Sequence, residues 1–172
     1  LLRSLEVAGV VSARELVEQA DGLALVLEDF GGEALAQMME REPPALLFGL
    51  TLAIKVSEVV AALHDAQVIH KDINPRNILV NERGAVQLID FGLATRLPRE
   101  VAGMHNPNVL EGTLAYIAPE QTGRMNRPID NRSDLYSLGA TLYHLFTGRP
   151  PFETREPLEL VQTRTRPPIS SR

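Results

Sequence analysis

Residues 70–77 read His70-Lys71-Asp72-Ile73-Asn74-Pro75-Arg76-Asn77, and residues 90–92 read Asp90-Phe91-Gly92. A third string, Ala118-Pro119-Glu120, follows. Asp72, Asn77 and Asp90 all carry side-chain oxygens, and two of them are carboxylates that accept protons or bind hard cations. Between them, residues 78–80 and 86–89 are apolar and flank Asn81-Glu82-Arg83-Gly84. That pattern predicts a β-hairpin. One loop, one hairpin and a return bring Asp72, Asn77 and Asp90 to one place.

Working outward, residues 45–67 form the longest helical pattern, with Leu46, Leu47, Leu50, Ile54, Ala61 and Ala62. Val68-Ile69 is a brief strand ahead of the loop. Upstream, the apolar runs at 10–18 and 23–28 surround Ala20-Asp21-Gly22 and read as a hairpin. Gly31-Gly32 ends it, and 33–41 reads as a short helix stopped by Pro43-Pro44. The period of Leu1, Leu2, Leu5 and Ala8 reads as the last turns of a helix. Downstream, 93–132 is irregular and rich in Gly, Pro, Asn and Arg, a length that goes with function or disorder. Ser133 then caps a helix running to Phe146, with Leu135, Leu138, Leu142 and Leu145 on one face and Gly148 as its stop. The tail after Val161 has no apolar period and reads as loose.

The chain has 172 residues, enough for one domain with a core, and its 44% hydrophobic and 23% charged content is that of an ordinary globule. A net charge of −5 disfavours nucleic acid as the main partner. There is no cysteine, which removes disulfides and thiolate metal sites and fits a reducing compartment. The apolar stretch at 45–60 is interrupted by Thr51, Lys55, Ser57 and Glu58, too broken for a membrane span. His64 and His144 lie on helices among apolar residues and read as packing or surface groups. Leu1-Leu2-Arg3 has the look of an internal start.

Phosphoryl transfer to a hydroxyl needs a carboxylate to orient the hydroxyl, oxygen ligands for Mg²⁺, and a cation for the transferred group. Asp72 suits the first task. Asn77 and Asp90 suit the second. The His-Lys-Asp…Asn, Asp-Phe-Gly and Ala-Pro-Glu strings, in this order, resemble the catalytic half of the eukaryotic-like protein kinase family, from Leu1 to about Val161. The resemblance implies an α+β fold, with a mostly helical large lobe and a remnant of a small β-rich lobe. It divides the chain into 1–32 (end of the small lobe and hinge), 33–161 (partial large lobe) and 162–172 (loose tail).

By position, the resemblance makes Asp72 the catalytic base and Asn77 and Asp90 the Mg²⁺ ligands. His70 and Phe91 become packing partners of a spine. Leu27 falls at the gatekeeper position. Glu28 and Phe30 form the hinge that meets the adenine of ATP, Glu33 holds its ribose, and Leu79 is the apolar floor under the base. Asp134 braces the catalytic loop, or serves as an acidic residue near a helix N-terminus, or both. Thr113 in the Gly112–Glu120 segment implies Ser/Thr substrates in proteins. Asn74 stands where such kinases carry a lysine, while Arg76 stands where tyrosine kinases carry an arginine. Arg76 then either supplies the missing cation or is a solvated loop charge. No Ser, Thr or Tyr lies between Thr95 and Thr113, so a phosphorylation switch paired with Lys71 is not available there; Glu111 is a fixed negative charge or a solvated carboxylate.

The glycine-rich loop and the Val-Ala-Ile-Lys strand do not precede the catalytic loop in these residues. The string at 121–127, Gln-Thr-Gly-Arg-Met-Asn-Arg, is similar to a bacterial subgroup in which the kinase module leads large proteins with sensor and ATPase domains. The expectation is a cytoplasmic ATP-dependent Ser/Thr protein kinase that uses Mg²⁺. Rival readings are a pseudokinase or interaction module, and a small-molecule phosphotransferase.

Overall fold

The computed structural model describes residues 2, 5–19, 22–96, 114–122 and 128–152. Strands β1 (Ala13–Gln19) and β2 (Gly22–Leu27) pair antiparallel, as their apolar runs predict. Ala20 and Asp21 of the expected turn lie outside the described residues. Strand β3 (Gly32–Ala34) leads into helix α1 (Leu35–Arg41). Glu33, expected in the helix, belongs to the strand instead. Its backbone pairs with Val80 of β5 (Ile78–Asn81), and the helix starts only where that pairing stops. Strand β6 (Val86–Leu88) completes the predicted hairpin and a three-stranded sheet in the order β3-β5-β6.

Helix α2 (Leu46–Asp65) buries Gly49, Leu52, Val56, Val60 and Leu63, which recur at three- and four-residue steps on one face. That face packs on β6, on strand β4 (Val68–Ile69) and on helix α3 (Asn131–Thr147). Leu52, Leu63, Ile69, Ile73 and Ile78 are fully buried at this junction. Each such side chain contributes about 1.5–3 kcal/mol relative to exposure. By length and composition α2 is apolar enough to cross a membrane, with mean hydropathy 1.9. Here its buried face is core, and Lys55 on its flank donates from Nζ to the carbonyl of Gly84 in the hairpin turn. The leucines and isoleucine expected on its apolar face, Leu46, Leu47, Leu50 and Ile54, are exposed. The sequence period was right, but the buried stripe lies on the Leu52–Leu63 side.

Helix α3 starts two residues before Ser133. Asp130 is its N-cap, with the carboxylate accepting from the Arg132 backbone N–H at 2.9 Å. Ser133 sits inside the first turn, fully buried, and donates its hydroxyl to Glu120 at 2.6 Å. Leu138 and Leu145 are buried as expected, but Leu135 is half exposed. Ser133, Asp134, Ser137 and Thr141 take the inward face instead, and of these Asp134 accepts the backbone N–H groups of His70 and Lys71. Gly148 ends the helix in the left-handed region at φ 74°, as its position predicts. Within the irregular stretch, Thr95–Arg96 forms a short strand, β7, against β4, and Pro119–Thr122 forms a 3₁₀ turn. Leu5–Val7 have no helical structure, and Leu1, Arg3 and Ser4 lie outside the described residues. So do residues 97–113, with Glu111 and Thr113, and the tail from 153 onward.

Residues 9–11 run beside β6: Leu88 donates its N–H to Gly9 O at 2.7 Å, and Val11 donates to Leu88 O at 3.0 Å. Gly9 has φ +78°, and a Cβ there would lie 2.2 Å from Val59 Cγ2. Gly31 has φ +65° with nothing within 4 Å of its Cβ position. Gly31→Ala is therefore expected to cost only the left-handed penalty, about 1–2 kcal/mol. Gly9→Ala adds an overpacking cost of about 1–3 kcal/mol to the same penalty. Urea unfolding of the two variants should rank Gly9→Ala as clearly the more damaging; equal losses would show that Val59 moves aside freely.

Candidate active site

The loop at 70–77 is held from below by Asp134. Its side chain is fully buried, with Oδ1 accepting the Lys71 backbone N–H at 2.8 Å. Oδ2 accepts the His70 N–H at 2.9 Å and His64 Nε2–H at 2.8 Å. The first turn of α3 and the end of α2 thus grip the loop together. The bracing role implied for Asp134 is what the geometry shows. His64, expected to be packing or surface, is the third arm of this network. Six residues before His70 and near the end of α2, it carried no signal that a single sequence could reveal.

Lys71 has φ 70°, and Asp90 has φ 60°. Both are strained conformations for residues with a Cβ, and such strain persists only where the surroundings enforce it. For Lys71 the enforcement is visible. Its N–H goes to Asp134, and its carbonyl accepts from Gln121 Nε2 at 2.8 Å. Gln121 also accepts the Ala118 N–H on Oε1 at 3.1 Å. The stretch after residue 113 is thereby tied to the loop by one buried amide, a role the sequence reading missed.

His70 is fully buried, and burial holds its imidazole below the ordinary value, against the opposing charge of Asp134. Its Nδ1 accepts the Asp72 backbone N–H at 3.2 Å, and Nε2 lies 3.0 Å from the Ile89 carbonyl. One nitrogen must accept and the other must donate, so the neutral Nε2–H tautomer is the one that fits. The ring meets Phe91 edge-on at 4.6 Å between centroids. The expected packing pair is thus present, and it links the 70–77 loop to the Asp90 segment.

The Asp72 carboxylate accepts Asn77 Nδ2 at 2.8 Å on Oδ2 and Asn74 Nδ2 at 3.0 Å on Oδ1. Asn77 spends its second amide hydrogen on the Asp72 carbonyl at 2.9 Å, which leaves its side-chain oxygen as the atom available to a cation. The Ile89 N–H donates to the Asn77 carbonyl at 2.9 Å, which sets Asp90 beside Asn77. Asp90 is exposed, with Oδ1 accepting the Gly92 N–H at 3.2 Å. One carboxylate and one amide oxygen fit Mg²⁺, which usually takes few protein ligands and completes its shell with water and phosphate oxygens. Among the described residues no three His, Cys, Asp or Glu gather at one point.

Asn74 is almost fully buried and spends its side chain inside the loop, donating to Asp72 and accepting the Arg76 N–H at 2.9 Å. Arg76 is exposed and lines the space between α1, Tyr116 and the end of α3. Pro75, whose carbonyl accepts the Ala36 N–H at 2.9 Å, turns this part of the loop toward α1. The guanidinium lies beside Tyr116, close enough to oppose the burial that pushes the phenol up to about 12. The Tyr116 hydroxyl donates to His144 Nδ1 at 2.6 Å. His144, expected to be packing or surface, is thus a polar partner of the segment.

The residues expected to meet adenine and ribose have the following contacts. Glu28 donates its N–H to Ser12 O at 2.9 Å, and its side chain pairs with Arg14 at 3.2 Å in solvent. Leu27 ends β2 and is partly exposed, and Phe30 packs against the Gly32 position. Leu79 pairs with Ala34 across the β3–β5 ladder. Glu33 is engaged by Arg41 at 2.7 and 3.0 Å, so a ribose hydroxyl would share or displace that pair.

Two measurements check this network. Asp134→Ala leaves two loop N–H groups and His64 without their acceptor, and should cost about 3–5 kcal/mol by denaturant unfolding. A loss under 1 kcal/mol would show that water replaces the carboxylate. Burial also holds His144 below its ordinary 6.5, partly offset by a backbone hydrogen bond at Gly148. The native state then refuses a proton that the unfolded chain accepts. Stability is full above pH 6.5 and declines as pH falls below it. Unfolding midpoints between about pH 7.5 and 5.5 should show this slope, to which buried His70 adds in the same direction, and His144→Gln should reduce it; an unchanged slope in the variant would rule His144 out as a source.

The protein kinase domain family matches residues 1–169. A probable serine/threonine-protein kinase of Corynebacterium efficiens is 35% identical over 156 residues, covering 86% of this chain and 23% of the relative. Probable serine/threonine-protein kinase PknB of Corynebacterium glutamicum is 40% identical over 106 residues, covering 62% of this chain and 16% of the relative. Serine/threonine-protein kinase PrkC of Bacillus subtilis is 33% identical over 151 residues, 87% of this chain and 23% of the relative. The chain therefore spans about a fifth of the length of these curated relatives. With the loop, hairpin and brace already in place, the match settles the lineage: the chain belongs to the protein kinase family.

Proposed function

We propose that this chain is the catalytic segment of an enzyme that transfers the γ-phosphoryl group of ATP to serine or threonine hydroxyls of proteins. The observation that supports the reading is the Asp72 carboxylate, held by the amides of Asn74 and Asn77, with the segment leading to Asp90 tied to Asn77 by the Ile89 N–H. The family in general uses ATP and Mg²⁺, and the relatives are named serine/threonine kinases.

Bound Mg²⁺-ATP supplies the phosphoryl group and the cation that neutralises it. Asn77 and Asp90 would hold that cation. Asp72 orients the acceptor hydroxyl and takes its proton as the oxygen–phosphorus bond forms and the bond to the ADP oxygen breaks. Leu27, Glu28, Phe30 and Leu79 form the adenine edge, with Glu33 at its ribose end. The string at 121–127 further supports a parent protein that carries sensor or ATPase domains.

A second reading, nucleotide or partner binding without transfer, is favoured by one observation. Asn74, at the position where such kinases carry a lysine, brings no charge to the site. The two separate cleanly in the full-length protein that contains residues 1–172. Phosphate transfer from labelled ATP to a basic protein should appear on Ser or Thr. Asp72→Asn should lower kcat by about 10²–10⁴ with nucleotide affinity retained, while Asp90→Ala should abolish Mg²⁺-dependent turnover. ATP binding with no Asp72-dependent transfer would establish the second reading. Equal loss of nucleotide affinity in both variants would overturn the division of roles.

A further inference from the structure

Helix α2 carries a second apolar stripe, away from its buried side. Leu46, Leu50, Ile54, Ser57 and Ala61 recur at steps of four, four, three and four residues. At about 100° per residue, these positions fall within about 80° of one another around the helix. Leu46 is 70% exposed, Leu50 45% and Ile54 61%, and Leu47 at the rim is 79% exposed. Ala61 is exposed as well. The stripe contains none of Asp72, Asn77 and Asp90, and it is distinct from the Leu52–Leu63 side that forms the core. We propose that it docks a second copy of this chain, with the two α2 helices running antiparallel about a two-fold axis at Ile54.

The taper of the stripe points to a second copy. Its first half is large, Leu46 and Leu50, its second half is small, Ser57 and Ala61, and Ile54 stands between them. Turned end for end, the same stripe lays Leu46 over the other copy's Ala61 and Leu50 over its Ser57. Ile54 then meets its own equivalent at the axis. Each large side chain faces a small one, which is the self-complementarity that a two-fold interface requires. Ser57 tolerates burial there, because its hydroxyl already donates to the Ala53 carbonyl at 2.7 Å. An unrelated segment covering the stripe would call for no such matching of its two halves.

Area and charge agree. Phe146 of α3 borders the stripe, with Cε1 3.2 Å from the Cβ position of Gly49, and is itself 44% exposed. With Phe146, the leucines and the isoleucine present on the order of 500 Å² of apolar surface, the size at which the largest patch on a monomer is often functional. A standard interface buries about 800 Å² per partner, so this pairing is weak and depends on concentration. Charge disfavours a lipid surface as the occupant. Glu42, Glu58 and Asp65 are exposed beside the stripe or at its ends, and Lys55 is committed to the Gly84 carbonyl. Anionic lipids are drawn to basic flanks, and these are acidic.

The test uses the full-length protein with cysteines placed on the stripe, since residues 1–172 contain none. With a short bis-maleimide and micromolar protein, Ile54→Cys should give a peptide linked from 54 to 54 by mass spectrometry. A mixture of Leu46→Cys and Ala61→Cys proteins should give the 46-to-61 product. Leu46→Cys alone should not link 46 to 46, because those ends lie about 22 Å apart along an antiparallel pair. Adding Leu50→Glu to Ile54→Cys should lower the 54-to-54 yield at least about tenfold, with the unfolding midpoint unchanged. Linkage of residue 54 only to another segment of its own chain, or no linkage at all, would overturn the proposal. So would a 46-to-46 yield equal to the 46-to-61 yield. Flotation with phosphatidylcholine–phosphatidylserine vesicles that is lost in Leu50→Glu would assign the stripe to lipid and overturn it too.

Discussion

A single buried carboxylate, that of Asp134, accepts three N–H groups from two directions, and the catalytic loop has its shape because of it. Burying a charge without partners costs several kcal/mol, so the site is tolerable only when all three donors are in place. That condition is a constraint on the whole chain. Helix α3 must present its polar first turn inward, α2 must end with His64 within reach, and the loop must accept a left-handed Lys71. The loss of Leu135 from the expected apolar face follows directly. The helix is turned to serve the loop, and the apolar burial is done by Leu138 and Leu145 further along.

From this brace the geometry propagates outward. Fixing the His70 and Lys71 backbones sets Asp72, whose carboxylate is then oriented by two amides of its own loop. The β5–β6 hairpin returns the chain so that Ile89 bonds to Asn77 and Asp90 lands beside it. The His70–Phe91 edge contact closes the circuit. None of these contacts is strong alone. Together they keep three oxygen-bearing side chains in register without any of them packing into the core.

What could be read from the sequence was what is local. The hairpin at 78–89 was legible because its turn residues and flanking apolar runs lie within twelve positions. Helix α2 was legible from its length, and its end was read two residues late, at Gln67, where the backbone has already left the helix with a positive φ. That residues 72, 77 and 90 come near one another was legible because a short loop and a hairpin join them. Contacts across the fold were not. His64 with Asp134, Gln121 with Lys71 and Tyr116 with His144 join residues 70, 50 and 28 positions apart, and no periodicity encodes them. Strand β7 escaped because two residues in an irregular stretch carry no alternation. The start of α3 was misjudged by a competition between two good caps. Asp130 won because Ser133 was needed as a donor to Glu120.

Gln121 uses both ends of its amide, one as a donor to Lys71 and one as an acceptor from Ala118. A glutamate of the same length would offer no hydrogen to the Lys71 carbonyl, and a lysine would offer no acceptor to Ala118. Asparagine has the right groups on too short an arm. The position therefore has an alphabet of one letter, set by geometry rather than by reactivity. A change at residue 121 would therefore loosen the turn at 118–121 from the 70–77 loop without touching either Asp72 or Asp90.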